Sequence, residues 1–215
     1  MLLFSLECSA TAASAAIYRD EKLLGEEFLN APQTHSVTLL PMAKSLLEHT
    51  GIFPAQIDYY AVSRGPGSFT GLRIGIAAIK GLAFPDDTPC IGVSTPEAIA
   101  YGLLGFEGTV IPMMDARCGQ VYTALFQGKD GRLTRLSEDE ALPLSELKEK
   151  LKSCTGPLWL CGDGAHLGLA AWGEELPVRM APAHLCCQRA SAVGLAAMQH
   201  LGEAVSPAAL VPCYL

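Results

Sequence analysis

The chain has 215 residues, of which 50% are hydrophobic, and it carries a net charge of −7 at pH 7. The hydrophobic fraction is large enough for a substantial core and excludes a largely disordered chain, and the length allows one large domain or two small ones. The acidic balance argues against tight nucleic-acid binding by this chain alone, because contacts to phosphate need clustered Lys and Arg.

Eight cysteines are spread along the sequence without any CxxC pair. Cys186 and Cys187 are adjacent, which is poor geometry for a shared metal ion or a mutual disulfide. We therefore expect buried free thiols in a reducing compartment. The apolar start lacks the basic region of a signal peptide and is interrupted by Glu7, and no run reaches the roughly 18 apolar residues that a membrane helix needs. The sequence predicts a cytoplasmic protein without a membrane segment.

Three strands with tight turns between them open the chain, at residues 2–6, 12–18 and 23–29. Glu7 lies in the first turn. A strand, an acidic turn and a second strand are typical of the lobes of actin-like ATPases, in which this turn holds phosphate and an aspartate holds a metal. Glu7 either has a role of that kind or accepts hydrogen bonds from the amides of its own turn.

Residues 36–49 have the apolar spacing of an amphipathic helix, with Leu40 and Leu47 on its apolar face. Pro41 lies within the pattern, so the helix either begins near it or bends there. His35 precedes the helix, and a lone histidine here is better explained by capping or packing than by ligand binding.

A second helix follows a predicted strand at residues 57–62 and a glycine-rich loop, and it runs to Phe84. Ser68 or Thr70 is a suitable N-cap. Glycine inside a helix costs about 1 kcal/mol relative to alanine, so Gly75 and Gly81 indicate close approach of another backbone. This helix has two apolar rows, which comprise Leu72, Ile76, Ile79 and Ala83, and Gly71, Gly75, Ala78 and Leu82.

The opening pattern occurs a second time around Asp115. A predicted strand at 90–93 and a helix at 95–104 precede a boundary at residues 105–108, and strands at 109–114, 121–127 and 132–135 follow it. Placing Glu7 over Asp115 aligns the two strand-turn-strand openings. This internal repeat predicts two related α/β lobes, residues 1–105 and 106–215, each with a mixed sheet.

The remaining segments are predicted to be a helix at 145–151, a strand at 157–161 and a helix at 189–201 that follows a connecting loop. Gly162, Asp163 and Gly164 come directly after the strand. A glycine-rich turn in this place either cradles a phosphate or simply reverses the chain.

No catalytic, cofactor or metal residues emerge from motif spacing. None of the five histidines are four residues apart, and neither a Walker A lysine motif nor a GxSxG elbow occurs. The RGPGSFTG run from Arg64 to Gly71 is the richest glycine loop. It is either a phosphate cradle or a turn that begins an interface helix.

Several motifs together resemble the TsaB (YeaZ) family, a bacterial subunit needed to make threonylcarbamoyladenosine in tRNA. The main one is RGPGSFTGLRIG at 64–75, followed by AIKGLA at 78–83. Shorter similarities are HS with LLP from His35, DAR at 115–117, CGDGA at 161–165 and the PxxLxPxYL end. The chain departs from the family pattern at Glu7, where relatives usually have Asp, and at Cys118 and Gln120, where Arg and Glu are common.

The resemblance implies a two-lobed actin-like (ASKHA, ribonuclease H-like) α/β fold with mixed sheets. It also implies a non-catalytic subunit, without a cofactor of its own, that binds the metal-bearing catalytic paralogue TsaD. A small ATPase, TsaE, joins the complex, which moves threonylcarbamoyl to the adenosine beside the anticodon, so the chain meets tRNA only through the complex. The alternative is an enzyme: an actin-like ATPase, a sugar kinase or a small peptidase.

An interface formed by the two long N-terminal helices is predicted because only one apolar row of the second helix can pack on its own sheet. Alone, the chain is expected to form a homodimer through the same surface. The predicted interface residues are Leu40, Ala43, Leu47, Gly71, Leu72, Gly75, Ala78 and Leu82.

Overall fold

The computed structural model describes residues 1–215. A mixed five-stranded sheet lies in the first half of the chain. The strand order is β3-β2-β1-β4-β5. Strands β1, β2 and β3 are antiparallel, whereas β1, β4 and β5 are parallel, so the sheet is mixed, as the sequence predicts. These strands are β1 (Leu2–Glu7), β2 (Ala13–Arg19), β3 (Lys22–Leu29), β4 (Tyr59–Gly65) and β5 (Cys90–Ser94).

Two long helices accompany this sheet, α1 (His35–Thr50) and α2 (Phe69–Ala83), and a short one follows it, α3 (Thr95–Tyr101). Helix α1 begins at His35 and continues through Pro41. It ends at Gly51, whose φ of 65° is left-handed and whose N–H donates to the carbonyl of Glu48 at 3.2 Å, a common glycine C-cap.

A second mixed sheet has the order β10-β7-β6-β11-β12. Strand β6 is antiparallel to β7 and β8 and parallel to β11. Its strands are β6 (Gly108–Arg117), β7 (Gln120–Thr123), β8 (Phe126–Lys129), β9 (Arg132–Arg135), β10 (Glu140–Pro143), β11 (Leu158–Cys161) and β12 (Val178–Met180). The helices of this half are α4 (Leu144–Leu151) and α5 (Ala165–Trp172).

The two openings match in hydrogen bonding as well as in strand direction. Glu7 Oε1 accepts the N–H of Ser9 at 2.5 Å, and Asp115 Oδ1 accepts the N–H of Arg117 at 2.7 Å. In each case a carboxylate at the end of the central strand bonds the amide two residues on. The repeat inferred from the sequence is therefore a repeat of local geometry.

Contacts divide the chain into two compact units, residues 1–98 with 188–214, and 99–187 with Leu215. We call these the first and the second unit. This differs from the sequence-based division, which placed residues 188–214 in the second lobe. The reason is helix α6 (Ala190–Ala197), which is bonded to the first sheet: Ser5 Oγ donates to the carbonyl of Ala190 at 2.7 Å, and the Ala190 N–H donates to Ser14 Oγ at 2.7 Å.

Other differences from the sequence-based prediction lie in the second unit. The predicted strand at 121–127 is broken into β7 and β8, which pair with different parts of β6. Strands β10 and β12 and helix α5 were not predicted, and α5 and β12 replace the expected loop before residue 189. Strand β12 has only three residues and is defined by pairing with β11, a non-local contact that periodicity does not detect.

Each unit contains a separate hydrophobic core. In the first unit, Phe4, Leu39 and Ile79 are fully buried between the sheet and the helices. In the second unit, Ile111 and Trp172 are buried in the hydrophobic core. All eight cysteines are free thiols, as expected, but the expectation that they are also buried holds only for Cys8, Cys90 and Cys161. None of the helices combines the length and the apolar character needed to cross a bilayer.

His200 lies between two carboxylates of the first unit. Its Nε2 is 2.9 Å from Glu97 and its Nδ1 is 3.0 Å from Glu203. Burial lowers the pKa of His200, but the hydrogen bonds to both glutamates outweigh burial and raise the pKa above its ordinary value. Because the folded pKa is raised, the stabilisation is complete below the unfolded pKa of about 6.5 and is lost as the pH rises through the folded pKa.

We therefore expect His200→Gln to lower the free energy of unfolding by about 1 kcal/mol at pH 5.5, and by much less at pH 8.5. Urea unfolding of the parent and the variant at both pH values measures this difference. A gap of equal size at the two pH values would show that the protonated ring contributes nothing.

Candidate partner-docking surface

The start of helix α2 is fixed by hydrogen bonds to the turn between β1 and β2. Ser68 Oγ accepts the N–H of Gly71 at 3.2 Å, which confirms Ser68 as the N-cap. The Ser68 N–H donates to the carbonyl of Ser9 at 2.7 Å. The glycine-rich loop therefore works as a tight turn that begins a helix at a defined point on the sheet.

Two glycines allow α2 to lie against this turn. A Cβ on Gly71 would be 2.2 Å from the carbonyl oxygen of Cys8, and one on Gly75 would be 2.7 Å from the Cys8 sulfur. The Cys8 thiol also donates to the carbonyl of Gly71 at 3.1 Å. The expected close backbone approach is thus found, but at Gly71, whereas Gly81 has open space around it.

The side chain of Glu7, at the end of β1, is fully buried. Its oxygens accept hydrogen bonds from the Ser9 N–H and from the Ser63 hydroxyl. Burial raises the pKa of Glu7, and these hydrogen bonds oppose part of that effect. Nearby, His35 Nε2 is 2.7 Å from the carbonyl of Ala10. Both residues have the packing and hydrogen-bonding roles that the sequence analysis gave as the alternative to ligand binding.

The Gly162–Gly164 turn of the second unit is packed against β6. A Cβ on Gly162, which has a φ of 92°, would be 2.3 Å from the carbonyl oxygen of Met113. The Gly164 N–H donates to the same oxygen at 2.9 Å. Of the two alternatives for this motif, the geometry favours a chain reversal.

Six of the eight predicted interface residues are buried within the chain itself. Leu40 is 51% exposed and Leu82 is partly exposed. In the second apolar row of α2, Gly71 and Gly75 pack on the β1–β2 turn and Ala78 is buried, so this row is not the outer face of the helix. The six buried residues are Ala43, Leu47, Gly71, Leu72, Gly75 and Ala78.

The outer face of α2 is a third apolar row, which the sequence analysis did not separate from the others. Phe84, directly after α2, is 71% exposed, and Val37 on the neighbouring helix α1 is 70% exposed. The signal was available, because the outward residues follow one another at intervals of three or four. We call the following set the α1–α2 surface: Val37, Leu40, Ile74, Ala77, Gly81 and Phe84.

One groove lies on this surface, and a second lies beside it and shares only Leu40 with it. The smaller, of about 290 Å³, separates the helices and is lined by Leu40, Ile74 and Ala77. The larger, of about 1060 Å³, runs beside α1 and is lined by Leu40, Phe53 and Leu82. Apolar side chains with grooves between them suit the packing of further helices, because ridges of one helix fit grooves of another.

The sequence of this chain is similar to the sequences of several known proteins. The tRNA threonylcarbamoyladenosine biosynthesis protein TsaB of Bacillus subtilis (strain 168) is 34% identical over 167 residues, which cover 78% of this chain and 73% of that protein. The chain belongs to the TsaB (YeaZ) family. A family model described as TsaD, tRNA N6-adenosine threonylcarbamoyltransferase, matches residues 29–155, so this TsaB-family chain is also similar to the TsaD family.

Solved structures give the same result for the fold. A Pseudomonas aeruginosa protein described as similar to the peptidase YeaZ is 28% identical, with a TM-score of 0.85, and the match covers 100% of this chain and 99% of that one. The ROK hexokinase of Thermus thermophilus is 13% identical, with a TM-score of 0.50 and coverage of 94% and 100%. The second match concerns the fold alone. The predicted two-lobed actin-like α/β fold with mixed sheets is confirmed.

Proposed function

We propose that the chain is a non-catalytic subunit of the complex that transfers threonylcarbamoyl to the adenosine beside the anticodon of tRNA, and that it acts by binding the catalytic paralogue TsaD. Family membership supports the pathway. The observation that carries the binding role is the exposed apolar α1–α2 surface, since soluble monomers rarely expose such patches without a function.

The α1–α2 surface packs against a matching pair of helices of the paralogue in a four-helix contact. The small residues Ala77 and Gly81 allow the helix axes to approach closely. The contact buries more than about 1,000 Å² in total, the lower bound for a specific interface. In the absence of the paralogue, the same surface pairs with itself about a two-fold axis. The small ATPase TsaE joins this cytoplasmic complex, and tRNA binds only to the assembly.

The proposal that the subunit has no catalysis of its own is supported by the turn at the end of β1. In actin-like ATPases the corresponding turn holds phosphate and metal. Here the Glu7 carboxylate is buried and its oxygens are hydrogen-bonded to Ser9 and Ser63. Gly71 of α2 lies directly against the same turn, at the carbonyl of Cys8, so the helix takes the space beside it.

The purified chain is therefore expected neither to hydrolyse ATP nor to transfer threonylcarbamoyl to tRNA. With tRNA, ATP and the threonylcarbamoyl–AMP donor present in every reaction, modified tRNA should appear only when purified TsaD and TsaE are added, with AMP as the leaving group, as measured by nucleoside analysis of the digested tRNA. A control with TsaD and TsaE but without this chain should give little product. Transfer by the chain free of partners would refute the proposal.

A further inference from the structure

A flank of helix α2 carries positive charge, and the nearest acidic residues in the sequence, Asp86, Asp87 and Glu203, lie just outside the segments that form it. The chain contains 22 Asp and Glu residues, yet none occurs at 63–83 or 205–214. Three cations lie in this part, Arg64, Arg73 and Lys80, and no carboxylate is within salt-bridge distance of any of them. In a chain with a net charge of −7, this region is locally cationic.

The C-terminal segment at 207–214, which we call the strap, holds the side chains of Arg73 and Lys80 in place along α2, and it is also bonded to the backbone of Arg64 in β4. The Lys80 ammonium donates to the carbonyl of Ala208 at 3.1 Å, and Arg73 Nε donates to the Tyr214 hydroxyl at 3.1 Å. The Cys213 N–H donates to the carbonyl of Arg64 at 2.7 Å. The partners of Arg73 and Lys80 are neutral oxygens, so both side chains are oriented without forming an ion pair.

Two aromatic rings complete this flank. The Phe69 ring lies 5.2 Å from the ring of Tyr214, and the Arg73 guanidinium lies 3.8 Å from the Phe69 centroid. Phe69 is 54% exposed and Tyr214 is 45% exposed. Exposed tyrosine and arginine in a fixed arrangement are the residue types that most often dominate binding energy at protein interfaces.

We infer that this cationic flank, formed by Phe69, Arg73, Lys80 and Tyr214, binds an acidic segment of the catalytic paralogue. The inference rests on the proposed function, because the flank is continuous with the α1–α2 surface along helix α2. Charge complementarity argues for the acidic segment, since uncompensated charges at an interface select a partner of opposite sign and raise its association rate.

A protein fits this flank better than RNA does. Single-stranded nucleic acid stacks its bases on free aromatic faces, whereas Phe69 is covered by Arg73 on one side and lies against Tyr214. Two cations are also few for a surface that depends on many phosphate contacts. The strap and α2 together therefore form a charged rim beside an apolar interface, which is the usual anatomy of a protein–protein contact.

Charge reversal tests the inference. Arg73→Glu and Lys80→Glu are each expected to weaken binding of the purified catalytic paralogue about fivefold at 50 mM salt, as expected for one exposed charge pair. The double variant should lose more than about tenfold. At 300 mM salt these differences should shrink, because the Debye length becomes shorter. The matched control is Arg132→Glu in β9, an exposed arginine without a carboxylate partner, which should bind as the parent does.

Ala77→Arg, which alters the α1–α2 surface, separates this inference from the proposed function. If Ala77→Arg abolishes binding while both charge reversals bind as the parent does, the inference is wrong and the proposed function stands. If all three variants bind normally, neither the flank nor the α1–α2 surface is the docking site, and the inference is wrong. If the parent chain itself does not bind the paralogue, the proposed function is wrong. If the reversals reduce tRNA retention by the assembled complex and leave paralogue affinity unchanged, the flank binds RNA and the inference is overturned. If Arg73→Glu is unstable, Lys80→Glu alone tests the inference, because this substitution removes a single hydrogen bond, the one to the carbonyl of Ala208.

Discussion

Gly71→Ala is expected to lower the free energy of unfolding of the first unit by about 3 kcal/mol, whereas Gly81→Ala in the same helix should raise it by about 1 kcal/mol. The added Cβ at Gly71 would be 2.2 Å from the carbonyl oxygen of Cys8, a backbone atom that cannot move without shifting the β1–β2 turn. At Gly81 no atom lies within 4 Å of the added Cβ, so only the gain in helix propensity remains.

Urea unfolding of the two variants measures this difference, which should be about 4 kcal/mol in total. Both substitutions make the same chemical change in one helix, so each is the control for the other. Equal stability of Gly71→Ala and the parent would contradict the packing of α2 on the turn. Gly75→Leu is unsuitable as a test of the interface, because its Cβ would already be 2.7 Å from the Cys8 sulfur inside the core.

Ala77→Arg is expected to weaken binding of the catalytic paralogue by about 100-fold or more and to abolish the homodimer. A guanidinium placed between closely packed helices keeps the helix axes apart and loses water without gaining a partner. The first unit should remain folded, because Ala77 is exposed and arginine is a good helix former.

The matched control is Ala170→Arg, which places the same side chain at an exposed position of helix α5. This variant should form both complexes with the parent's affinity, as read by titration calorimetry and size-exclusion chromatography. Unchanged binding by Ala77→Arg would show that the α1–α2 surface is not the interface.

Much of the fold was predictable because local signals and global structure agree. The strands of the first sheet, both long helices and the N-cap at Ser68 follow from periodicity and turn chemistry. The repeat of the opening at Glu7 and Asp115 was recognised as a pattern of elements, and the structure gives it a physical form in two equivalent carboxylate–amide hydrogen bonds.

The orientation of α2 was not predictable from its own residues. Three of its rows are apolar, and periodicity alone does not decide which of them faces the sheet. The choice depends on a non-local contact, the approach of Gly71 to Cys8. For this reason the pattern predicts an interface role for Gly75, which is buried, and does not single out Ala77, which is exposed.

The return of the chain to the first unit was missed for a similar reason. Helix α6 is held by bonds such as that between Ser5 and Ala190, residues 185 positions apart. Nothing in the local sequence of α6 distinguishes packing on the first sheet from packing on the second. The local sequence is sufficient only to predict a helix at 189–201.

The most direct test of the proposed role is sedimentation velocity of the purified chain, alone and with an equal amount of the catalytic paralogue TsaD. The proposal predicts a homodimer for the chain alone and its replacement by a one-to-one complex in the mixture. If the chain sediments independently of the paralogue at every concentration tested, the proposed function is wrong.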